Sequence, residues 1–121
     1  MTIAISEDRL RRAFLAAVAD EEMIKILGSA TYEAKSVGGI IRETGISHST
    51  AYRKINWMLE EGLLYSERID ITPDGKKFGL FRSTPKSINI RYELGKVIVE
   101  VEYNINVLER TAQKMFSLGS D

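Results

Sequence analysis

The chain has 121 residues, 44% of them hydrophobic, and a formal net charge of zero, which fits one soluble globular domain spanning residues 1–121. It contains no cysteine, which excludes disulfide bonds, thiolate metal sites and cysteine nucleophiles. No stretch approaches the roughly 20 apolar residues of a membrane helix, and the first residues lack the apolar run of a signal peptide. We therefore expect a cytoplasmic protein with no membrane partner.

Residues 1–19 are predicted to form an N-terminal helix with Ser6 as its N-cap. Its apolar residues recur at helical spacing: Leu10, Phe14, Ala17 and Val18. Asp20 is predicted to cap a second helix, with Glu21 and Glu22 in the first turn, where carboxylates interact favourably with the helix dipole. That helix is expected to be largely buried through its apolar residues: Met23, Ile24, Ile26, Leu27 and Ala30.

A third helix is predicted over residues 37–44, capped by Ser36 and ended by Gly45 in the left-handed conformation. Gly38 and Gly39 lie inside it and each cost about 1 kcal/mol relative to alanine. Such a cost indicates that the backbone approaches either another helix or a phosphate group. The sequence leaves both interpretations open.

The next helix, over residues 47–60, combines an apolar face with a polar face. Ile46 fills the turn before it and Ser47 is expected to cap it, which completes a helix-turn-helix pattern. At about 100° per residue, four apolar residues form the inward face: Ala51, Ile55, Met58 and Leu59. The opposite face carries Ser49, Arg53 and Asn56, whose polar groups suit base edges in a major groove. This pattern indicates a recognition helix, although an ordinary amphipathic surface helix has the same arrangement.

Two aromatic residues and the single histidine also lie on this helix. Tyr52 is expected either to reach a thymine methyl group or phosphate, or to close the edge of the core. Trp57 is expected to pack against a neighbouring helix. His48 has no carboxylate in the same local motif, which favours a phosphate or solvent contact over catalysis. We therefore predict neither enzymatic activity nor a metal or other cofactor.

Two hairpins are predicted after the helices. The first spans residues 65–82, with a proline–glycine turn at residues 72–75 and alternating apolar residues on its arms: Ile69, Ile71, Phe78 and Leu80. A helix-turn-helix followed by such a hairpin is a winged helix, with residues 65–82 as the wing. The second hairpin follows Pro85 and has a two-residue turn at Gly95–Lys96. A last helix is expected to begin near Asn106.

Together these elements predict an α+β, mainly helical fold with a winged helix-turn-helix at residues 20–83. Residues 84–121 add a hairpin and a C-terminal helix that are too short to enclose their own core. We expect them, with the first helix, to hold a homodimer together through five residues: Leu10, Phe14, Leu108, Met115 and Phe116. The alternative is a monomer in which the hairpin packs within its own chain.

Positive charge is concentrated in two segments although the total is balanced. Residues 35–57 hold four basic residues against one acidic residue, and residues 71–91 hold five against one. A local basic patch, rather than the net charge, attracts a phosphate backbone. Chance clustering of charges on solvated faces is the alternative.

The segment SVGGIIRETGISHSTAYRKINWMLEEGLL resembles the winged helix-turn-helix of ArsR-like transcription regulators, especially archaeal ones. The resemblance covers roughly residues 20–83 and implies a homodimer on a two-fold operator in double-stranded DNA. The glycine pair departs from the family pattern, and the lack of cysteine gives no support to thiol-based metal sensing. The sequence identifies no effector.

The outward helix face and the resemblance together give the predicted DNA-contacting residues: Ser47, His48, Ser49, Thr50, Tyr52, Arg53, Lys54, Asn56, Lys76 and Lys77. The resulting hypothesis is a sequence-specific transcription regulator with helix 47–60 in the major groove and the wing on the adjacent backbone or minor groove. Because a fold does not decide function, the alternative is a winged helix that serves as a protein-interaction module of transcription or replication machinery.

Overall fold

The computed structural model describes residues 2–104 and has an α+β fold with four helices and two small antiparallel sheets. In chain order the elements are β1 (Thr2–Ala4), α1 (Asp8–Val18), α2 (Glu21–Ser29), α3 (Val37–Thr44), α4 (His48–Glu60), β2 (Leu64–Ile71), β3 (Lys77–Ser83), β4 (Pro85–Glu93) and β5 (Lys96–Tyr103). Helices contain only slightly more residues than strands within this range, because strands β2 to β5 are long. The last predicted helix, with Leu108, Met115 and Phe116, lies outside the described residues.

The three-stranded sheet has the order β1-β5-β4, and β2 and β3 form a separate hairpin. Strand β1 was not predicted from the sequence. It is only three residues long and pairs with β5 across almost the whole chain, for example Ile3 with Val101. Such a strand is too short to show alternation, so only the tertiary pairing defines it.

Helix α1 packs its apolar face on the sheet and the other helices. Ala13, Phe14 and Ala17 are buried in the core, and Leu10 is partly buried against it. The prediction that Phe14 lies at a dimer interface is therefore wrong for this conformation, because its side chain is fully enclosed by its own chain. The helix begins one residue later than expected, with Glu7 rather than Ser6 at the N-cap position and no side-chain cap.

Helix α2 is capped as predicted, since Asp20 accepts a hydrogen bond from the Met23 amide at 3.0 Å. Ile26 and Leu27 are buried, whereas Ile24 is exposed. After α2, the backbone of Lys35 exchanges two hydrogen bonds of 2.8 Å with Phe81 of β3. This bridge fixes the β2–β3 hairpin against the segment between α2 and α3.

The turn between α3 and α4 forms as the sequence predicts. Ser36 caps α3 by accepting from the Gly39 amide at 3.0 Å. Gly45 ends the helix with φ of 74°, and Ile46 is buried behind it. Ser47 occupies the N-cap position of α4, but its side chain makes no capping hydrogen bond.

The β2–β3 hairpin has the predicted turn but a different arrangement of apolar residues. Gly75 has φ of 87°, and its amide donates to the Thr72 carbonyl at 2.9 Å. A register shift between Ser66 and Arg68 sets Ile69 opposite Gly79 and Asp70 opposite Phe78. Residues opposite one another share a face, so Ile69 and Phe78 lie on opposite faces of the hairpin.

The β4–β5 hairpin turns one residue earlier than predicted. Its loop is Leu94–Gly95, with φ of 50° and 80°, between the paired residues Glu93 and Lys96. Positive φ at both loop residues is the type I′ pattern, which matches the twist of the flanking strands. Leu94 therefore lies in the turn and is exposed.

Candidate nucleic-acid interface

Helix α4 is fixed to the core by one face, as predicted. Ala51, Ile55 and Met58 are buried, and Leu59 is partly buried against them. Trp57 also packs against the core and lines a groove with α1 residues such as Arg9 and Ala13. The helix therefore has a defined orientation, which leaves its opposite face to solvent.

The solvent face of α4 carries the three predicted base-reading residues. Ser49, Arg53 and Asn56 are all exposed. No carboxylate within residues 2–104 forms an ion pair with Arg53, and neither Ser49 nor Asn56 uses its side chain in a hydrogen bond there. A hydroxyl, a guanidinium and a carboxamide are thus held on a rigid element with their hydrogen-bonding capacity unused.

The first turn of α4 adds further polar groups. Ser47 and His48 are exposed, and Thr50 is partly exposed. The first amides of an α-helix have no partner within the helix, and here Ser47 does not cap them. A helix start of this kind can donate hydrogen bonds to an anion.

Tyr52 stands on the surface rather than at the edge of the core. Its side chain is 50% exposed, and its ring stacks on the His48 ring, with centroids 6.4 Å apart and an angle of 20° between the planes. The pair extends the polar face of the helix with a flat aromatic surface. Of the two roles expected for Tyr52, closing the core is therefore excluded.

Lys54 does not belong to this face. Its ammonium is 2.6 Å from Asp20 Oδ2 and 2.8 Å from Glu22 Oε1, and only 11% of the side chain is exposed. The hydrogen bond from Lys54 lowers the pKa of the Asp20 carboxyl, and the bonds to Asp20 and Glu22 raise the pKa of Lys54. At about 100° per residue, Lys54 lies only about 60° from Ala51. The prediction of a DNA contact for Lys54 is therefore wrong for this conformation.

The turn of the β2–β3 hairpin presents Lys76 and Lys77. Both are exposed, and neither forms an ion pair with a carboxylate in the described part of the chain. The loop backbone is fixed because the Thr72 hydroxyl contacts the Asp74 carboxylate and accepts from the Lys76 amide at 3.0 Å. The two lysines are thus free charges on an ordered turn.

Several other basic residues of the two positive segments are neutralised within the chain. Lys35 pairs with Glu43, whose pKa it lowers by a hydrogen bond. Arg82 pairs with Glu67 at 3.1 Å and also donates to the carbonyls of Thr31 and Tyr32. Lys86 and Arg91 likewise lie near carboxylates on β4 and β5. Within residues 2–104, the basic residues of these segments that lack such a partner are Arg42, Arg53, Lys76 and Lys77.

Arg42 was not among the predicted contact residues. It is exposed on α3, and its guanidinium lies above the glycine pair, since a Cβ built on Gly38 would be 3.4 Å from Arg42 Nη1. Among residues 2–104, the atoms nearest to a Cβ built on either glycine belong to Ser36, Lys35 and Arg42 rather than to another helix. Close packing against another described helix therefore does not explain the glycine pair. The signal in the sequence was a basic residue in the last turn of the helix that precedes α4.

Comparisons of the chain with protein-family models, with curated proteins and with solved structures find no match. Within residues 2–104 no cluster of three or more histidine, aspartate or glutamate side chains is placed to hold a metal ion. No helix in the same range is long and apolar enough to cross a membrane. The function is therefore inferred from the geometry of the chain itself.

Proposed function

We propose that the chain is a sequence-specific DNA-binding transcription regulator with a winged helix-turn-helix fold. Helix α4 enters the major groove, and the β2–β3 hairpin is the wing on the adjacent backbone or minor groove. The observation that carries the proposal is the outward set Ser49, Arg53 and Asn56, which has no side-chain partner within residues 2–104 and lies on a helix whose other face is buried. Arginine suits guanine and asparagine suits adenine, while serine can pair with either.

The order of elements supports the fold part of this proposal. Helix α2, the Lys35 bridge, helices α3 and α4, and the β2–β3 hairpin follow one another as in a winged helix. The left-handed Gly45 and the buried Ile46 make the short turn between α3 and α4. The resemblance of residues 20–83 to ArsR-like regulators agrees with this order.

The distribution of free charge supports nucleic acid as the partner. Ion pairing within the chain removes Lys35, Lys54 and Arg82 from the positive segments. The basic residues of these segments that have no carboxylate partner in the described part of the chain lie on α3, on α4 and at the wing turn. These are the elements that a winged helix brings to DNA, where each cation can neutralise a phosphate.

The test is selection of bound fragments from native genomic DNA, followed by anisotropy titration of the recovered site and a scrambled duplex. Arg53→Ala should remove about 1–3 kcal/mol of discrimination at one base pair. Arg12→Ala is the matched control, because Arg12 is an exposed arginine on α1 paired with Asp8. Equal loss on both duplexes would assign Arg53 to phosphate only. No change on either duplex would contradict the recognition-helix role.

A protein-interaction module is the second candidate. It is favoured by Ile69 and Ile71, which are 64% and 63% exposed on one face of the wing. Exposed apolar side chains at an interface core are more typical of protein partners than of phosphate backbones. Absence of a selected DNA site, together with binding of a protein partner that Ile69→Asp abolishes, would favour this candidate.

A further inference from the structure

The β4–β5 hairpin carries the most exposed apolar residues of the three-stranded sheet. Its inner half packs Val99 and Val101 into the core. Its outer half extends away from the core, with Tyr92 74% exposed, Leu94 94% exposed, and Ile90 and Val97 more than a third exposed. Strand β4 is also an edge strand, because the sheet order within residues 2–104 is β1-β5-β4.

The backbone of β4 offers unpaired groups along this edge. Glu93 and Lys96 flank the two-residue loop and are directly opposed, which makes them the first hydrogen-bonded pair of the hairpin. Hydrogen-bonded and non-hydrogen-bonded pairs alternate in an antiparallel ladder. Arg91 therefore also turns its N–H and C=O toward β5, while Ile90 and Tyr92 turn theirs toward the free edge.

The residues around Tyr92 are arranged symmetrically by type. The order of side-chain types is the same in both directions from Tyr92: apolar Ile90, basic Arg91, aromatic Tyr92, acidic Glu93 and apolar Leu94. If two such strands run antiparallel about a two-fold axis at Tyr92, Arg91 of each copy lies opposite Glu93 of the other. Ile90 then lies beside Leu94 in the turn of the other copy, and the two Tyr92 residues face each other. In this register the outward N–H and C=O groups of Tyr92 are the ones that would pair.

We propose that two copies of this chain associate through the outer half of β4, pairing antiparallel about Tyr92 to join their three-stranded sheets into one. The occupant is a second copy because the edge complements itself in charge and in side-chain type. Cross-strand pairs of opposite charge and of apolar residues stabilise such a ladder, and like charges directly opposed destabilise it. The interface involves none of the proposed DNA-contacting residues, so this association needs no DNA.

The first test uses complementary charge variants and analytical ultracentrifugation without DNA. Arg91→Glu and Glu93→Arg each set like charges opposite one another twice in a homodimer, so each variant should dimerise at least about tenfold more weakly than the wild-type chain. An equimolar mixture of the two variants restores both opposite-charge pairs and should form a mixed dimer. Misfolding cannot mimic this recovery, because each variant alone would then stay defective in the mixture.

The second test uses the absence of cysteine from the chain. Tyr92→Cys introduces the sole thiol at the proposed axis, where directly hydrogen-bonded residues have Cα atoms about 5.5 Å apart, within the range that a disulfide spans. Mild oxidation should therefore cross-link this variant nearly completely. Ile69→Cys is the control, because Ile69 is similarly exposed on the β2–β3 hairpin.

Three results would overturn the proposal. The wild-type chain could stay monomeric at about 100 µM, a protein concentration at which even weak specific dimers form. Both charge variants could remain dimers with unchanged affinity, which would locate the interface elsewhere. The mixed variants could also stay monomeric, which would exclude the Tyr92-centred register. None of these results depends on whether α4 binds DNA.

Discussion

Arg53 and Lys54 are consecutive basic residues on α4 with opposite surroundings. Arg53 is exposed without an ionic partner in the described range, while Lys54 is held between Asp20 and Glu22. The difference follows from a rotation of about 100° between neighbouring helical positions. The Arg53 guanidinium is therefore available to a partner, whereas the Lys54 ammonium links α4 to the start of α2.

The Asp20–Lys54 ion pair predicts a pH-dependent contribution to stability. Because the pKa of Asp20 is lowered in the folded chain from its ordinary value of 3.8, the stabilisation is fully present above that value. It is lost as the pH falls through the lowered pKa. Asp20→Asn keeps a side chain that can cap α2 but removes the charge, so the difference in free energy of unfolding from wild type should shrink below about pH 4.

Urea denaturation from pH 2 to pH 7 measures this difference. A difference that stays constant through the acid range would contradict the role of the ion pair. Lys54→Met serves as the reciprocal variant, since it removes the cation while keeping a long apolar stem. It should cost roughly 1–2 kcal/mol near neutral pH, between the values for exposed and buried ion pairs.

The left-handed conformation of Gly45 gives a second prediction, which concerns the free energy of unfolding. Its φ of 74° lies in the left-handed region, and apart from its two chain neighbours no described residue has an atom within 4 Å of an added Cβ. Gly45→Ala should therefore cost about 1 kcal/mol through backbone strain alone. Gly45→Asn should cost less, because asparagine tolerates this conformation better. Equal losses for the two variants in urea unfolding would contradict this explanation.

At the scale of elements, the β2–β3 hairpin combines an ordered turn with two free lysines. The Lys35–Phe81 bridge and the Thr72 hydrogen bonds hold the hairpin and its tip in place. Charges on an ordered element can be directed at a surface with less loss of conformational freedom. This hairpin is therefore suited to phosphate contacts that orient α4.

The wing lysines predict a change in salt dependence rather than in sequence preference. Lys76→Ala and Lys77→Ala should each reduce the slope of log affinity against log salt by about 0.9, because one phosphate contact is lost. Binding to the selected site is measured by anisotropy between 50 and 200 mM salt, the range over which such contacts change affinity strongly. Lys25→Ala, an exposed lysine on α2, is the control. An unchanged slope in both wing variants would exclude the wing from the DNA interface.

At the scale of the whole molecule, the proposed recognition helix α4 and the proposed dimer edge on β4 lie on different elements of one chain. A single recognition helix reads few base pairs, and two-fold dimers of helix-turn-helix proteins read two half-sites. If both proposals hold, the protein bound to DNA is a dimer. Its operator is then an inverted repeat with centres about one helical turn, or a multiple of it, apart.

This spacing predicts that the affinity for DNA depends on the rotation of one half-site relative to the other about the duplex axis. Inserting five base pairs between the half-sites should rotate them to opposite sides of the duplex and reduce binding to that of a single half-site. Inserting about ten base pairs restores the phase and should recover part of the affinity. A footprinting titration of the three duplexes measures the effect. Equal affinity for all three would show that the two helices do not bind one operator together.

Local sequence determined the four described helices, the caps of α2 and α3, and the turns at Gly45 and Gly75, whereas the predicted caps at Ser6 and Ser47 do not form. Asp20, Ser36, Gly45 and Gly75 act as predicted, because capping and positive φ depend on neighbouring residues alone. The inward and outward faces of α4 also followed from a fixed rotation per residue. These features were available without knowledge of any distant contact.

Tertiary structure decided which side chains remain free and where the short strands pair. The partners of Lys54, Arg82 and β1 lie far away in the chain, so no local pattern could identify them. The burial of Phe14 likewise depends on how the sheet and helices meet around it. Burial and ion pairing are determined by three-dimensional proximity, and a periodic pattern reports only the face on which a residue lies. The sequence could therefore locate the polar face of α4 and turn Lys54 away from it, whereas only the fold showed that Asp20 and Glu22 hold Lys54 and that Arg53 has no ionic partner within residues 2–104.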